Sequence, residues 1–186
     1  MRNFLTRFLA LVLLALPAWA SDCDDAIKIF LNAGQSAEFF STSYGYAVFP
    51  TIGKVGVGIG GARGKGCVYV KGQVVGEAVM NQLTAGAQLG GQAYSQIVFF
   101  QDERSFKEFT NGNFEFGAEA SAVAITAAAG VKGNTGGSSA SASGGKNDAK
   151  TAGKYNKGMA IFTVAKGGLM YEASVGGQKF KYTAKK

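Results

Sequence analysis

Alternating glycines are the feature of this sequence that most restricts what the chain can fold into. In segment 55–60, valine or isoleucine alternates with glycine, which is the period-two pattern of a β-strand. Glycine at every second position leaves one face of a strand bare, and another backbone or an aromatic ring can approach that face closely. Glycine accounts for 28 of the 186 residues, but there are only 2 prolines and no collagen repeat. The sequence therefore predicts a closely packed sheet and excludes a collagen-like chain or a Pro-rich linker.

Short strand-like runs recur along the rest of the chain and are separated by turn residues such as Lys71-Gly72. They are Tyr46–Pro50, Cys67–Val70, Gln73–Val75, Gln96–Phe100, Phe114–Thr126, Met159–Val164, Leu169–Val175 and Lys179–Thr183. Residues 130–153 are rich in Gly, Ser and Ala, which fits either a loop or a strand of small residues. Strands joined by short turns favour antiparallel pairing.

Helical patterns are fewer than strand patterns. Apolar spacing predicts a helix over Asp24–Asn32 that ends at Gly34, and Asp102 is placed to cap another helix. Ser36 is expected to cap a short helical turn between these two helices. The predicted fold class is α+β: a mostly antiparallel sheet, sandwich or barrel-like, with a short N-terminal helix and one or two additional short helices.

The first residues have the order of a secretory signal peptide. Two arginines precede the apolar run Phe8–Leu16, and Ala18–Ala20 supplies an A-x-A cleavage signal. This order predicts a signal peptide over residues 1–20, a single domain over residues 21–186, and export to the periplasm or cell envelope of a bacterium. No later apolar run reaches the roughly 20 residues that a membrane-spanning helix needs.

Cys23 and Cys67 are the only cysteines in the chain. The residues before Cys23 lack a lipobox, so acylation of this cysteine is not expected. Outside the cytosol the two cysteines can form a disulfide, and two separate thiols remain the other possibility.

The sequence offers no catalytic or metal-binding pattern. It contains no histidine, which excludes imidazole as a general base, as a partner of a nucleophile and as a metal ligand. The glycines in 56–61 match a dinucleotide-binding fingerprint literally, but a strand follows them where that fingerprint requires a helix. We therefore expect no enzyme activity, no cofactor and no metal.

Positive charge is concentrated in the C-terminal third of the chain. From Lys146 to Lys186 there are nine lysines against Asp148 and Glu172, within a total formal charge of +7. Such an excess favours an anionic partner, and for an exported protein lipid headgroups are more accessible than nucleic acid. The expected lipid-binding residues are the lysines Lys146, Lys150, Lys154 and Lys157, the predicted turn residues Lys54, Arg63 and Lys65, and the aromatic residues Phe39 and Phe40, which are expected to be exposed. A merely solvated face is the alternative for each of these cations.

Several linked motifs resemble the SYLF domain family. They are Tyr44–Pro50, Ile52–Gly61, Gly64–Gly66, Gln88–Ser95, Phe116–Ser121, Tyr155–Gly158 and Gly168–Ala173. The resemblance covers roughly residues 24–182 and is strongest to the exported bacterial branch. It implies lipid binding, since eukaryotic members are membrane-associated adaptors that bind phosphoinositides and in some cases actin.

Together these observations favour a non-enzymatic domain that binds anionic headgroups at a membrane surface. One alternative is a structural or assembly protein of the envelope that binds another protein through a sheet edge. Another is a small outer-membrane barrel, which the predicted helices and the lysine-rich final strand disfavour.

Overall fold

A computed structural model describes residues 18–117, 120, 122–125, 154–166 and 175–186. It contains three helices, α1 (Ala18–Asn32), α2 (Gly34–Thr42) and α3 (Glu103–Thr110), and the strands β1 (Gly45–Val70), β2 (Gln73–Phe100), β3 (Phe114–Glu115), β4 (Val123–Ile125), β5 (Met159–Lys166) and β6 (Gln178–Ala184). The α+β class is confirmed. Most of the expected signal peptide and the whole of segment 130–153 lie outside the described residues.

One very long hairpin dominates the fold. The short runs predicted before residue 100 join into β1 and β2, which pair antiparallel from Gly45 opposite Phe100 to Val70 opposite Gln73. The turn between them is Lys71-Gly72, where φ is 50° and 76°. Two positive φ angles are what a two-residue turn of the I′ type needs, so this part of the prediction is confirmed.

β2 is the centre of the sheet. Its first half pairs antiparallel with β6 and its second half with β5, so the two halves of the hairpin have different neighbours. β3 extends the sheet beyond β6, and β4 extends it beyond β5. The β4–β5 pair is parallel and the other pairs are antiparallel, as expected for a mostly antiparallel sheet.

The sheet curls because β1 folds back on itself. An added Cβ at Gly64 would lie 2.6 Å from Ile52, and one at Gly66 would lie 2.7 Å from the ring of Phe49. The two ends of β1 therefore pack closely through a surface without side chains. This confirms the expectation that bare glycine positions admit another backbone and an aromatic ring.

Alternate residues of the strands face two separate cores. Val98 and Phe100 point into the curl, where they pack with the inner core of Phe49, Phe109 and Phe180. The neighbouring residues Ile97 and Phe99 point the opposite way, into an outer core that α1 and α2 cover; its members include Phe30, Phe39, Phe99 and Phe162. This part of β2 is thus buried on both faces.

α3 begins as the sequence predicts. The Asp102 carboxylate accepts a hydrogen bond from the Ser105 amide at 2.8 Å, and the Ser105 hydroxyl accepts one from the Asp102 amide at 3.2 Å. The Ser105 amide and the Ser105 hydroxyl, which also donates to the Asp102 carboxylate at 2.9 Å, hold the pKa of Asp102 below its usual range. The capped helix delivers Phe109 into the inner core.

The N-terminal helices depart from the prediction in three details. α1 ends at Asn32 as expected but begins at Ala18, earlier than the predicted start at Asp24. Gly34 begins α2 instead of ending α1. Ser36 is not a cap: it is buried, and its hydroxyl donates to the Phe30 carbonyl at 2.6 Å, because a buried carbonyl at the end of α1 needs a donor.

A disulfide joins Cys23 of α1 to Cys67 of β1 across a Cα–Cα distance of 6.3 Å. Beside it, the Tyr69 hydroxyl donates to the Asp24 carboxylate at 3.4 Å. Burial and the negative charge of Asp24 raise the pKa of Tyr69 to about 12. The structure thus decides between the two possibilities left by the sequence, since it pairs the cysteines and ties α1 to the sheet.

Candidate functional site

The outward face of the sheet is exposed where residues 63–65 of β1 and 79–81 of β2 lie beside β6. Gly64 and Gly66 are buried towards the inner core, whereas Arg63 and Lys65 alternate with them and are exposed. The same alternation exposes residues on β2 and β6. We call this surface the basic face; its members are Arg63, Lys65, Val79, Asn81, Lys179 and Lys181.

Strand register arranges the basic face in two rows. Arg63 lies opposite Asn81, which lies opposite Lys179 on the far side of β2. In the same way, Val79 lies between Lys65 and Lys181. Because neighbouring strands are about 4.8 Å apart, the cations of each row are roughly 10 Å apart across β2. Four cations, two from β1 and two from β6, therefore project from one side of the sheet on either side of β2.

Local contacts hold two of these cations. The Arg63 guanidinium donates to the Asn81 side-chain oxygen at 2.9 Å. The Lys179 ammonium lies 3.4 Å from the Glu115 carboxylate, an exposed pair that offsets part of its charge. The guanidinium retains further donors for an anion, since it carries five N–H groups.

A buried polar cluster fixes β6, and therefore Lys179 and Lys181, against β2. The Gln178 side chain accepts from Gln96 at 2.8 Å and donates to the Tyr94 hydroxyl at 3.2 Å. Gln178 and Gln96 are both fully buried. Since an unpaired buried amide costs free energy, slippage of β6 along β2 would be penalised at this point.

Exposed apolar side chains continue the same surface. Ile59 is 78% exposed, Leu83 is 87% exposed and Val55 is 68% exposed, and they are the three most exposed large hydrophobic side chains of the described residues. Leu83 lies opposite Gly61 and is two residues beyond Asn81 along β2. Ile59 is two residues before Gly61 along β1. We call Val55, Ile59 and Leu83 the apolar tip.

The apolar tip surrounds a sharp bend of β1. An added Cβ at Gly56 would meet the backbone of Gly60, so the chain turns back between these residues. The bend brings Val55 and Ile59, which are four residues apart, to the same end of the folded hairpin.

The expected turn cations are all in a strand. Lys54, Arg63 and Lys65 were predicted in turns and lie within β1, because the short predicted strands merge into one. Arg63 and Lys65 belong to the basic face. Lys54 lies opposite Gln92 in the first half of β1 and is half-buried, so it is not part of that face.

The C-terminal lysines are only partly described. Lys154 and Lys157 are exposed near the turn that leads into β5, where Gly158 approaches α3 at Arg104 and Ser105. Lys146 and Lys150 lie outside the described residues. The prediction that these four lysines share a lipid-binding surface stays a prediction.

The expectation that Phe39 and Phe40 are exposed aromatic residues is wrong. Phe39 is buried in the outer core, with its ring 5.1 Å from that of Phe162. Phe40 is half-buried, and its ring packs edge-on against Tyr46 and Phe99. Both rings stabilise α2 on the sheet.

Sequence reasoning missed Lys179, Lys181 and the apolar tip as site residues. The alternation of lysine with aromatic residues in 179–182 indicates a strand with one basic face. It does not indicate which strand pairs with it. The alternation of 55–60 with glycine likewise predicts a strand without showing that its apolar residues are exposed.

The described residues bear on two further classes of site. In these segments, no three Cys, Asp or Glu side chains are grouped so that they could hold a metal ion. None of the helices in the same segments combines the length and apolar character needed to cross a bilayer.

Comparison with known proteins gives two matches. The model of a family described as "Ysc84: Las17-binding protein actin regulator" matches residues 81–185. A protein of Aeromonas veronii named "Beta cell expansion factor A" is 29% identical over 156 residues. That alignment covers 83% of this chain and 51% of the relative, so the chain spans about half the length of the curated relative it matches.

Proposed function

We propose a function on the basis of family membership. This chain belongs to the Ysc84 family, also known as the SYLF domain family, because the family model matches more than half of the residues of the chain. The family is linked in general to the binding of lipid or actin. We infer that this member is a non-enzymatic domain that binds anionic lipid headgroups at a surface of the bacterial cell envelope.

The observation that carries the proposal is the basic face. Arg63 and Lys65 of β1 and Lys179 and Lys181 of β6 project from the same side of the sheet, where they can contact negative headgroups together. Each cation close to an anionic membrane contributes about 1 kcal/mol of attraction. Attraction between these exposed cations and the headgroups is screened over a Debye length of about 8 Å at physiological salt, so binding should weaken strongly as salt rises.

Export of the chain is part of the same proposal. The sequence order of residues 1–20 supports it, and the Cys23–Cys67 disulfide is compatible with an oxidising compartment. A periplasmic domain would meet anionic headgroups directly.

Cleavage after Ala20 follows from this proposal. Mass spectrometry of the protein isolated from the cell envelope is expected to find Ser21 at the N-terminus. An intact Met1 in that fraction, or a lipid on Cys23, would contradict the expected processing.

Vesicle flotation tests headgroup binding. We expect the mature chain, which begins at Ser21, to float with vesicles of phosphatidylglycerol and phosphatidylcholine and to remain behind with phosphatidylcholine alone. A variant with Arg63, Lys65, Lys179 and Lys181 all changed to Gln is expected to bind the anionic vesicles about a thousandfold more weakly. These side chains are exposed, so the melting temperature should change little.

A matched variant loses the same charge elsewhere. Changing Lys146, Lys150, Lys154 and Lys157 to Gln removes four positive charges from the lysines that the sequence alone favoured. If this variant loses as much affinity as the first one, the basic face is not the specific binding surface, and the proposal for this face is refuted. If the unmodified chain fails to float, lipid binding is refuted, and the alternative of a protein partner becomes the better proposal.

A further inference from the structure

We propose that the apolar tip of the hairpin enters the acyl region of the membrane while the basic face contacts the headgroups. This inference rests on the proposed lipid binding and adds a mode of attachment to it. With its tip inserted, the domain enters the bilayer only to a shallow depth and keeps one orientation relative to the membrane.

The exposure of the tip is the first argument. Leu83 lies opposite Gly61, so no side chain across the strand pair covers it. Ile59 and Leu83 are diagonal neighbours on adjacent strands, where side chains are close enough to form one apolar surface. Contiguous exposed apolar surface of this kind marks an interaction site, because burying it from water is favourable.

The position of the tip relative to the cations is the second argument. Along β2, Leu83 is two residues beyond Asn81 in the Arg63 row, a step of roughly 7 Å. Headgroups occupy about 5–8 Å on each side of the hydrocarbon core. A domain whose cations lie among the headgroups can therefore place Leu83 and Ile59 at the edge of the acyl chains.

Charge complementarity selects a lipid surface over a second copy of the chain. Arg63 and Lys65 lie beside the tip, and two copies meeting tip to tip would bring these cations together. From its centre outward, an anionic bilayer presents apolar chains and then negative headgroups. The apolar tip and the basic face follow each other in the same order along the hairpin. An apolar protein surface would satisfy the tip alone.

Fluorescence quenching tests insertion directly. Cleavage after Ala20 removes Trp19, which is the one tryptophan of the sequence, so Leu83→Trp gives the mature chain from Ser21 a single tryptophan. With anionic vesicles that contain brominated acyl chains, we expect the fluorescence of Trp at position 83 to shift to shorter wavelength and to be quenched. Val74→Trp is the matched control, because Val74 is a partly exposed hydrophobic residue of β2 near the other end of the hairpin, and its tryptophan should remain unquenched.

Salt dependence tests the energetic role of the tip. At about 1 M salt the Debye length is about 3 Å, so attraction by the cations is largely screened. We expect Ile59→Ser combined with Leu83→Ser to weaken vesicle binding at least about tenfold under these conditions. The Val74→Ser variant should retain the affinity of the unmodified chain.

The outcomes separate this inference from the proposed function. Binding to anionic vesicles without quenching at position 83 would overturn insertion and leave headgroup binding standing. Absence of binding to any vesicle would overturn both. A blue shift that depends on protein concentration and needs no vesicles would also overturn insertion, because the tip would then contact a second copy of the chain.

Discussion

A single methyl group added at Gly66 is expected to lower the free energy of unfolding by about 3 kcal/mol or more. The new Cβ would meet the backbone carbonyl of Val48 and lie 2.7 and 2.9 Å from two ring carbons of Phe49. A flexible side chain could move away at small cost, but a strand backbone within the sheet cannot. Urea unfolding of Gly66→Ala measures the effect as a lower midpoint with a similar slope.

Gly53→Ala is the matched control for this prediction. Gly53 lies in the same strand, and an added Cβ there would have no heavy atom within 4 Å. The control should equal or slightly exceed the stability of the unmodified protein, since alanine restricts the unfolded chain more than glycine does. If Gly66→Ala unfolded at the midpoint of the unmodified protein, the two ends of β1 would not pack together as described.

The features that the sequence predicted correctly are set by local contacts. The turn at Lys71-Gly72 needs only residues that tolerate positive φ, and the start of α3 needs only Asp102 and Ser105. The alternation of apolar and small residues likewise predicted the strand at 55–60, because it reports the two faces of one segment, but in the predicted strand Phe114–Thr126 only Phe114–Glu115 and Val123–Ile125 form strands.

The curl of the sheet could not be predicted in this way. It depends on which residues of β1 meet when the strand folds back, and the contact of Gly66 with Val48 joins positions far apart along the same strand. Glycine alternation shows that a close approach is possible but not which segment approaches. The merging of predicted turns around Lys54 and Lys65 into one strand has the same cause.

The residues of the basic face could not be predicted from the sequence for the same reason. Arg63 and Lys179 are distant in sequence and become neighbours of Asn81 only because β6 pairs with the first half of β2. Similarly, the apolar residue Phe39 was expected at the surface, and the packing of α2 on the sheet buries it. Site residues that are assembled by strand order require the tertiary structure.

Loss of the Cys23–Cys67 disulfide is expected to lower the free energy of unfolding by about 4 kcal/mol. The bond closes a loop with a sequence separation of 44 residues, and the loss of loop-closure entropy in the unfolded chain gives this magnitude. The variant with both cysteines changed to Ala should therefore show a lower melting temperature and a lower urea midpoint. Both positions are almost completely buried, so a smaller packing loss adds to the effect.

Reductant provides the internal control for the disulfide. Unfolding of the unmodified protein in excess dithiothreitol should approach that of the double variant, whereas the variant itself should not respond to reductant. Single cysteine variants should resemble the double variant, because either change removes the bond. If reductant left the midpoint of the unmodified protein unchanged, the packing of Phe30 and Phe39 on the outer core would be sufficient to hold α1 and α2 against the sheet, and the covalent link would contribute little.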